Sequence, residues 1–118
     1  MKSIINIIII LLILSLSDAK AQDKSTKIET AEFHVAGVCN QCKVRIENAA
    51  LIKGVKVAEW NKATHTLKVV FNNQKTSLDL IHKAVAEVGH DTEKVKADDE
   101  VYQDLPKCCA YRDGVRTH

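Results

Sequence analysis

Aromatic side chains are scarce in this sequence: one tryptophan, two tyrosines and two phenylalanines among 118 residues. That argues against the stacking platforms on which single-stranded nucleic acids lie. An excess of one charge is lacking as well. Once residues 1–21 are set aside, with Lys2, Lys20 and Asp18 among them, the 17 basic and 15 acidic side chains become 15 and 14. No strong field then points to nucleic acid or to an anionic membrane. No carboxylate pair, glycine-rich phosphate loop or Ser/His/Asp grouping rises above background, so nothing marks an enzyme. Long hydrophobic runs are missing too. The apolar stretch from Ile4 to Leu14 falls short of the roughly 20 residues that span a bilayer.

That stretch follows Lys2 and leads to Ala19-Lys20-Ala21. A basic start, an apolar middle and an A-x-A site are the order of a secretory signal peptide, with an uncleaved anchor as the alternative. Cleavage is expected after Ala21, and no cysteine follows the apolar run to take a lipid. The product is expected to be exported, periplasmic or secreted, with no membrane span. Residues 22–118 are too few for two hydrophobic cores. The division is therefore a signal peptide at 1–21, a polar lead-in at 22–27, one domain at 28–97 and a cysteine-containing tail at 98–118.

Periodicity supplies the elements. Ala31, Phe33 and Val35 alternate with Thr30, Glu32 and His34, which predicts a half-buried strand. Cys42, Ile46, Ala49 and Ala50 fall on one helical face, with Gly54 as a stop. The run "VKVAEW" predicts a second strand, and Leu67, Val69 and Phe71 a third that pairs with it as a hairpin across "NKAT". Leu78, Ile81, Val85 and Val88 form the stripe of a second helix, with Thr76 and Asp79 as its capping box and Gly89 at its end. A short last strand is expected around Val95. The order βαββαβ predicts an α+β ferredoxin-like sandwich, two helices on one face of a four-stranded antiparallel sheet. Trp60 is expected to cover a core edge, His34, His65 and His82 to be solvated, and Asp98-Asp99-Glu100 to be a solvating linker.

The chemistry is concentrated in "AGVCNQC", Ala36 to Cys42. Cys39 leaves the first strand and Cys42 lies in or near the first helical turn, where unpaired N–H groups and the helix dipole stabilise a thiolate. Two such thiolates converge on one soft cation, and sulfur selects Cu(I) or Zn(II) over Mg or Ca. The same spacing suits two other readings: a secreted thiol–disulfide oxidoreductase, or a domain stapled by disulfides in an oxidising compartment.

The C-x-x-C at a strand-to-helix junction, "RIENAALIKGV" after it, the L-x-V-x-F strand and the second helix ending at Gly89 together resemble the heavy-metal-associated domain over about residues 28–96. That family includes copper chaperones, metal-binding domains of copper-exporting P-type ATPases and periplasmic mercuric-ion-binding proteins. The resemblance implies that Cys39 and Cys42 bind one ion, Cu(I) first, with Zn(II) or Hg(II) as alternatives. They would hand it by ligand exchange to a membrane metal transporter or P-type ATPase domain that docks transiently. Where the family commonly has Gly-Met-x before its first cysteine, this chain has Ala36, Gly37 and Val38, and no methionine follows Met1.

Three further residues are candidates. His90 follows the second helix, beside the metal site in this family's fold, as a sulfur hydrogen-bond donor or third ligand, or else as a solvated helix end. Cys108 and Cys109 lie outside the usual family boundary, and as neighbours in sequence they are too close to pair with each other without strain. They complete a four-sulfur site, bind or relay metal separately, or bridge to the loop pair as disulfides. Lys43 and Arg45 steer an acidic partner or lower a thiolate pKa, if they are more than a solvated helix face.

Overall fold

The computed structural model describes residues 27–118. The expected signal peptide and nearly all of the polar lead-in lie outside the described residues. No helix among those residues is long and apolar enough to cross a membrane.

Three strands, β1 (Ile28–His34), β2 (Val55–Asn61) and β3 (Thr66–Asn72), form an antiparallel sheet in the order β1-β3-β2. Helices α1 (Asn40–Ala50) and α2 (Leu78–Glu87) pack against it and against each other. Alternation decides which strand residues face inward. Phe33, Trp60, Leu67, Val69 and Phe71 are buried, and they meet Cys42, Ile46 and Ala50 of α1 and Ile81 and Val85 of α2. The β2–β3 turn closes through Asn61, whose Oδ1 accepts from the N–H groups of Ala63 and Thr64 at 2.8 and 3.1 Å.

The fourth strand expected around Val95 is reduced to one bridge, Val35 to Thr92. Side chains take the backbone donors a ladder would use. Thr92 Oγ1 accepts from Lys94 N–H (3.3 Å) and Val95 N–H (3.0 Å), and Asp91 Oδ1 accepts from Ala97 N–H (2.8 Å). Three other expectations also change. The cap of α2 is Ser77, whose Oγ accepts from Leu80 N–H at 3.3 Å, while Thr76 turns inward. His82 is buried, stacked 3.8 Å from the Phe33 ring and 2.7 Å from Thr92 Oγ1. The acidic run is the cap and first turn of a further helix, α3 (Asp99–Gln103), where carboxylates complement the helix dipole.

Beyond α3 the chain folds back onto the domain through two short helical turns, at Lys107–Cys109 and Tyr111–Asp113. Gly89, with φ +103°, ends α2 in the left-handed region and leaves room for Leu105, whose side chain would stand 3.1 Å from a Cβ there. Arg112 latches the return. Its guanidinium donates to both Asp91 carboxylate oxygens (2.6 and 3.0 Å), to Asp99 (2.9 Å) and to the Ala97 carbonyl (2.8 Å), and lies 4.4 Å from the Tyr102 ring centre.

Candidate metal centre

The loop from β1 to α1 is held by packing. Gly37 sits so close to the Trp60 ring that a Cβ would approach it to 2.9 Å, and Trp60 Nε1 donates to the Val35 carbonyl at 3.0 Å. Val38, at the position before Cys39, is buried in the core, so a branched apolar chain anchors the loop. Cys39 occupies the cap position of α1 and Cys42 its first turn. Their sulfurs are 3.3 Å apart.

The tail brings the other two sulfurs to the same point. Cys109 Sγ lies 3.3 Å and Cys108 Sγ 4.0 Å from Cys39 Sγ, and the tail sulfurs are 3.9 Å from each other. The donor atoms of Cys39, Cys108 and Cys109 form a cluster compact enough for one ion. All four cysteines are free thiols, and Cys108 alone is half-exposed while the others are buried.

The four do not ionise alike. Burial works against a thiolate at Cys39, but N–H groups of Cys42 and Gln41 and the thiols of Cys109 and Cys42 outweigh it and bring its pKa down to about 7. Burial raises Cys42. Burial, with thiol neighbours that compete for the negative charge, pushes Cys108 and Cys109 up to about 11. Cys39 is thus the sulfur of the cluster that ionises first, beside thiols that hold their protons more firmly.

His90 and Arg45 complete the surroundings. His90 is fully buried; its Nδ1–H donates to the Ala36 carbonyl (2.8 Å), and its Nε2 faces Arg45 Nη1 at 3.4 Å. Arg45 Nη1 also donates to Cys109 Sγ at 3.3 Å. The imidazole thus reaches the sulfurs through Arg45, and the helix face expected in solvent provides a cation beside the cluster. Lys43 is tied to Glu47 and to the Trp60 carbonyl instead. Tyr111, unmarked in the sequence reading, stacks on His90 at 5.5 Å, and its hydroxyl donates to the Gly89 carbonyl at 2.6 Å. Only the folded tail makes Tyr111 relevant; its spacing from Cys109 carries no local signal.

Burial holds His90 neutral, with its pKa brought from 6.5 down to about 4. The unfolded chain takes up this proton first, so acid weakens the fold. Stability is complete above pH 6.5 and falls by about 3 kcal/mol in all as pH drops to about 4, with the lowered pKa of His82 adding in the same direction. Urea unfolding of metal-free protein across that range measures the slope. A His90→Gln variant as steep as the parent would refute its assignment to His90.

No protein-family model matches the sequence, and no curated protein matches it. Solved structures do. The N-terminal domain of a potential copper-translocating P-type ATPase from Bacillus subtilis, in its Cu(I)-loaded state, is 34% identical, with a TM-score of 0.52 over 55% of this chain and 84% of that one. The chain belongs to the heavy-metal-associated domain family. Two other structures with this domain's fold are similar to it. A CopZ metallochaperone is 26% identical with a TM-score of 0.52, covering 54% of this chain and 98% of its own. Oxidised MerP from Ralstonia metallidurans is 26% identical with a TM-score of 0.53, covering 56% and 94%. The heavy-metal-associated domain thus accounts for little more than half of the sequence.

Proposed function

We propose that this chain is an exported metal-binding protein that holds one soft ion, Cu(I) ahead of Zn(II) or Hg(II), at the thiolates of Cys39 and Cys42. It passes the ion by ligand exchange to a transporter or P-type ATPase domain. The observation that carries this is the Cys39–Cys42 pair, 3.3 Å apart at the start of α1, with a thiolate already favoured at Cys39. Sulfur donors prefer soft cations. The likeness to a Cu(I)-loaded ATPase domain and to a metallochaperone supports both the ion and the type of recipient.

The transfer chemistry is simple. Cys39 takes the ion as a thiolate and Cys42 gives up its proton to solvent as its bond to the metal forms. A partner thiolate adds to the bound ion, one protein sulfur leaves and regains a proton, and the metal keeps its oxidation state throughout. Binding and exchange, not turnover of a substrate, are the activity.

Titration of reduced protein with Cu(I) against a chromophoric chelator is expected to show tight binding, and Cys39→Ser with Cys42→Ser to remove it. Binding that survives in the double variant would refute the site. Catalytic reduction of insulin disulfides would replace this reading with an oxidoreductase.

A further inference from the structure

The Cys39–Cys42 pair is buried, and the tail packs against it through Cys109 and Cys108. The covering segment is itself made of ligands. Cys108 and Cys109 lie against Cys39, and the Arg112–Asp91 pair ties down the tail that carries them.

Sulfur spacing separates the coordination modes. With metal–sulfur bonds of about 2.3 Å, two-coordinate linear binding needs sulfurs about 4.6 Å apart, trigonal binding about 4.0 Å and tetrahedral binding about 3.8 Å. The Cys39–Cys108 and Cys108–Cys109 separations, 4.0 and 3.9 Å, already suit trigonal or tetrahedral spacing and fall well short of the linear one. Of the two pairs at 3.3 Å, Cys39–Cys109 opens by about 0.7 Å to reach the trigonal spacing and Cys39–Cys42 by about 1.3 Å to reach the linear one. Charge agrees. Three thiolates around a monovalent cation leave an excess of negative charge, and Arg45 already donates to Cys109.

We propose that Cys39, Cys108 and Cys109 form a three-sulfur holding seat for the soft ion, separate from the two-sulfur transfer position at Cys39 and Cys42. This rests on the reading that the chain binds a soft metal at Cys39. In passing from one position to the other the ion keeps its bond to Cys39. It gains bonds to Cys108 and Cys109, whose two protons go to solvent, and it loses Cys42, which takes one proton back. No electron moves.

X-ray absorption of the intact protein carrying one equivalent of Cu(I), with competition titrations, tests this. Expected are three sulfurs in the parent and in Cys42→Ser. Cys108→Ser with Cys109→Ser is expected to show two sulfurs and affinity lower by at least about 100-fold, the upper end for residues that only orient a ligand. Two sulfurs in the parent, with unchanged affinity in the tail double variant, would overturn the holding seat and leave the two-cysteine reading standing. Absence of Cu(I) binding by the parent would overturn both. The sulfur count of the parent decides the matter even if a tail variant fails to fold.

Discussion

Cys39→Ser is expected to weaken Cu(I) binding by more than about 100-fold, beyond the range for residues that merely orient a ligand. It should exceed the loss from serine at any other cysteine. The reason is geometric. Cys39 Sγ lies within 4.0 Å of each of the other three sulfurs, so both positions proposed for the ion include it. It is also the sulfur with the lowest pKa, about 7, and hence the one that offers a thiolate before metal arrives. A serine hydroxyl at that position is a hard, protonated oxygen and a poor ligand for a soft cation. Cys42→Ser and Cys108→Ser each leave Cys39 with at least one other sulfur partner. Chelator competition on the four single variants ranks them. A Cys39→Ser protein that binds as well as Cys108→Ser would show that the ion does not sit against Cys39.

Trp60→Ala is expected to give the largest loss of stability, about 3–5 kcal/mol, the usual cost of emptying a buried tryptophan site. For a domain of this size that corresponds to a fall in Tm of about 15–30 °C. Trp60 is 1% exposed, and its surroundings connect the sheet to the metal loop. Its ring fills the space left by Gly37, its Nε1 donates to the Val35 carbonyl, and His65 stacks on it at 5.7 Å. Glu47 accepts from its backbone N–H at 2.9 Å, and Lys43 donates to its carbonyl at 3.0 Å, so α1 is fastened to β2 on both sides of it. Loss of the ring leaves a cavity beneath the segment that aims Cys39. Urea titration should show a lower midpoint at unchanged slope, and Trp60→Phe a smaller decrease that isolates the indole hydrogen bond. An alanine variant within 1 kcal/mol of the parent would contradict this view of the loop.

The readable part of the fold is the part written in local period. Phe33, Leu67, Val69 and Phe71 alternate and Ile81 and Val85 recur at helical spacing, so strands, helices and their buried faces follow from neighbours in sequence. The cap of α2 is displaced by one residue because Thr76 and Ser77 are chemically equal candidates, and the burial of Thr76 chose between them. The last strand is lost for a similar reason. Thr92 and Asp91 suit a strand edge as well as a turn, and their side-chain hydrogen bonds decided for the turn.

The sequence by itself determined that a C-x-x-C pair stands where β1 gives way to α1, because that placement needs only the end of one period and the start of another. Only the tertiary structure brought Cys108 and Cys109 to Cys39 across some 70 residues of chain, set Arg45 against Cys109 and buried His90 and His82. The tail has no apolar period to direct it. Its position comes from the Arg112–Asp91 pair, Tyr111 on His90 and Leu105 on Gly89, contacts between residues far apart in sequence that exist only once the sheet and both helices have formed.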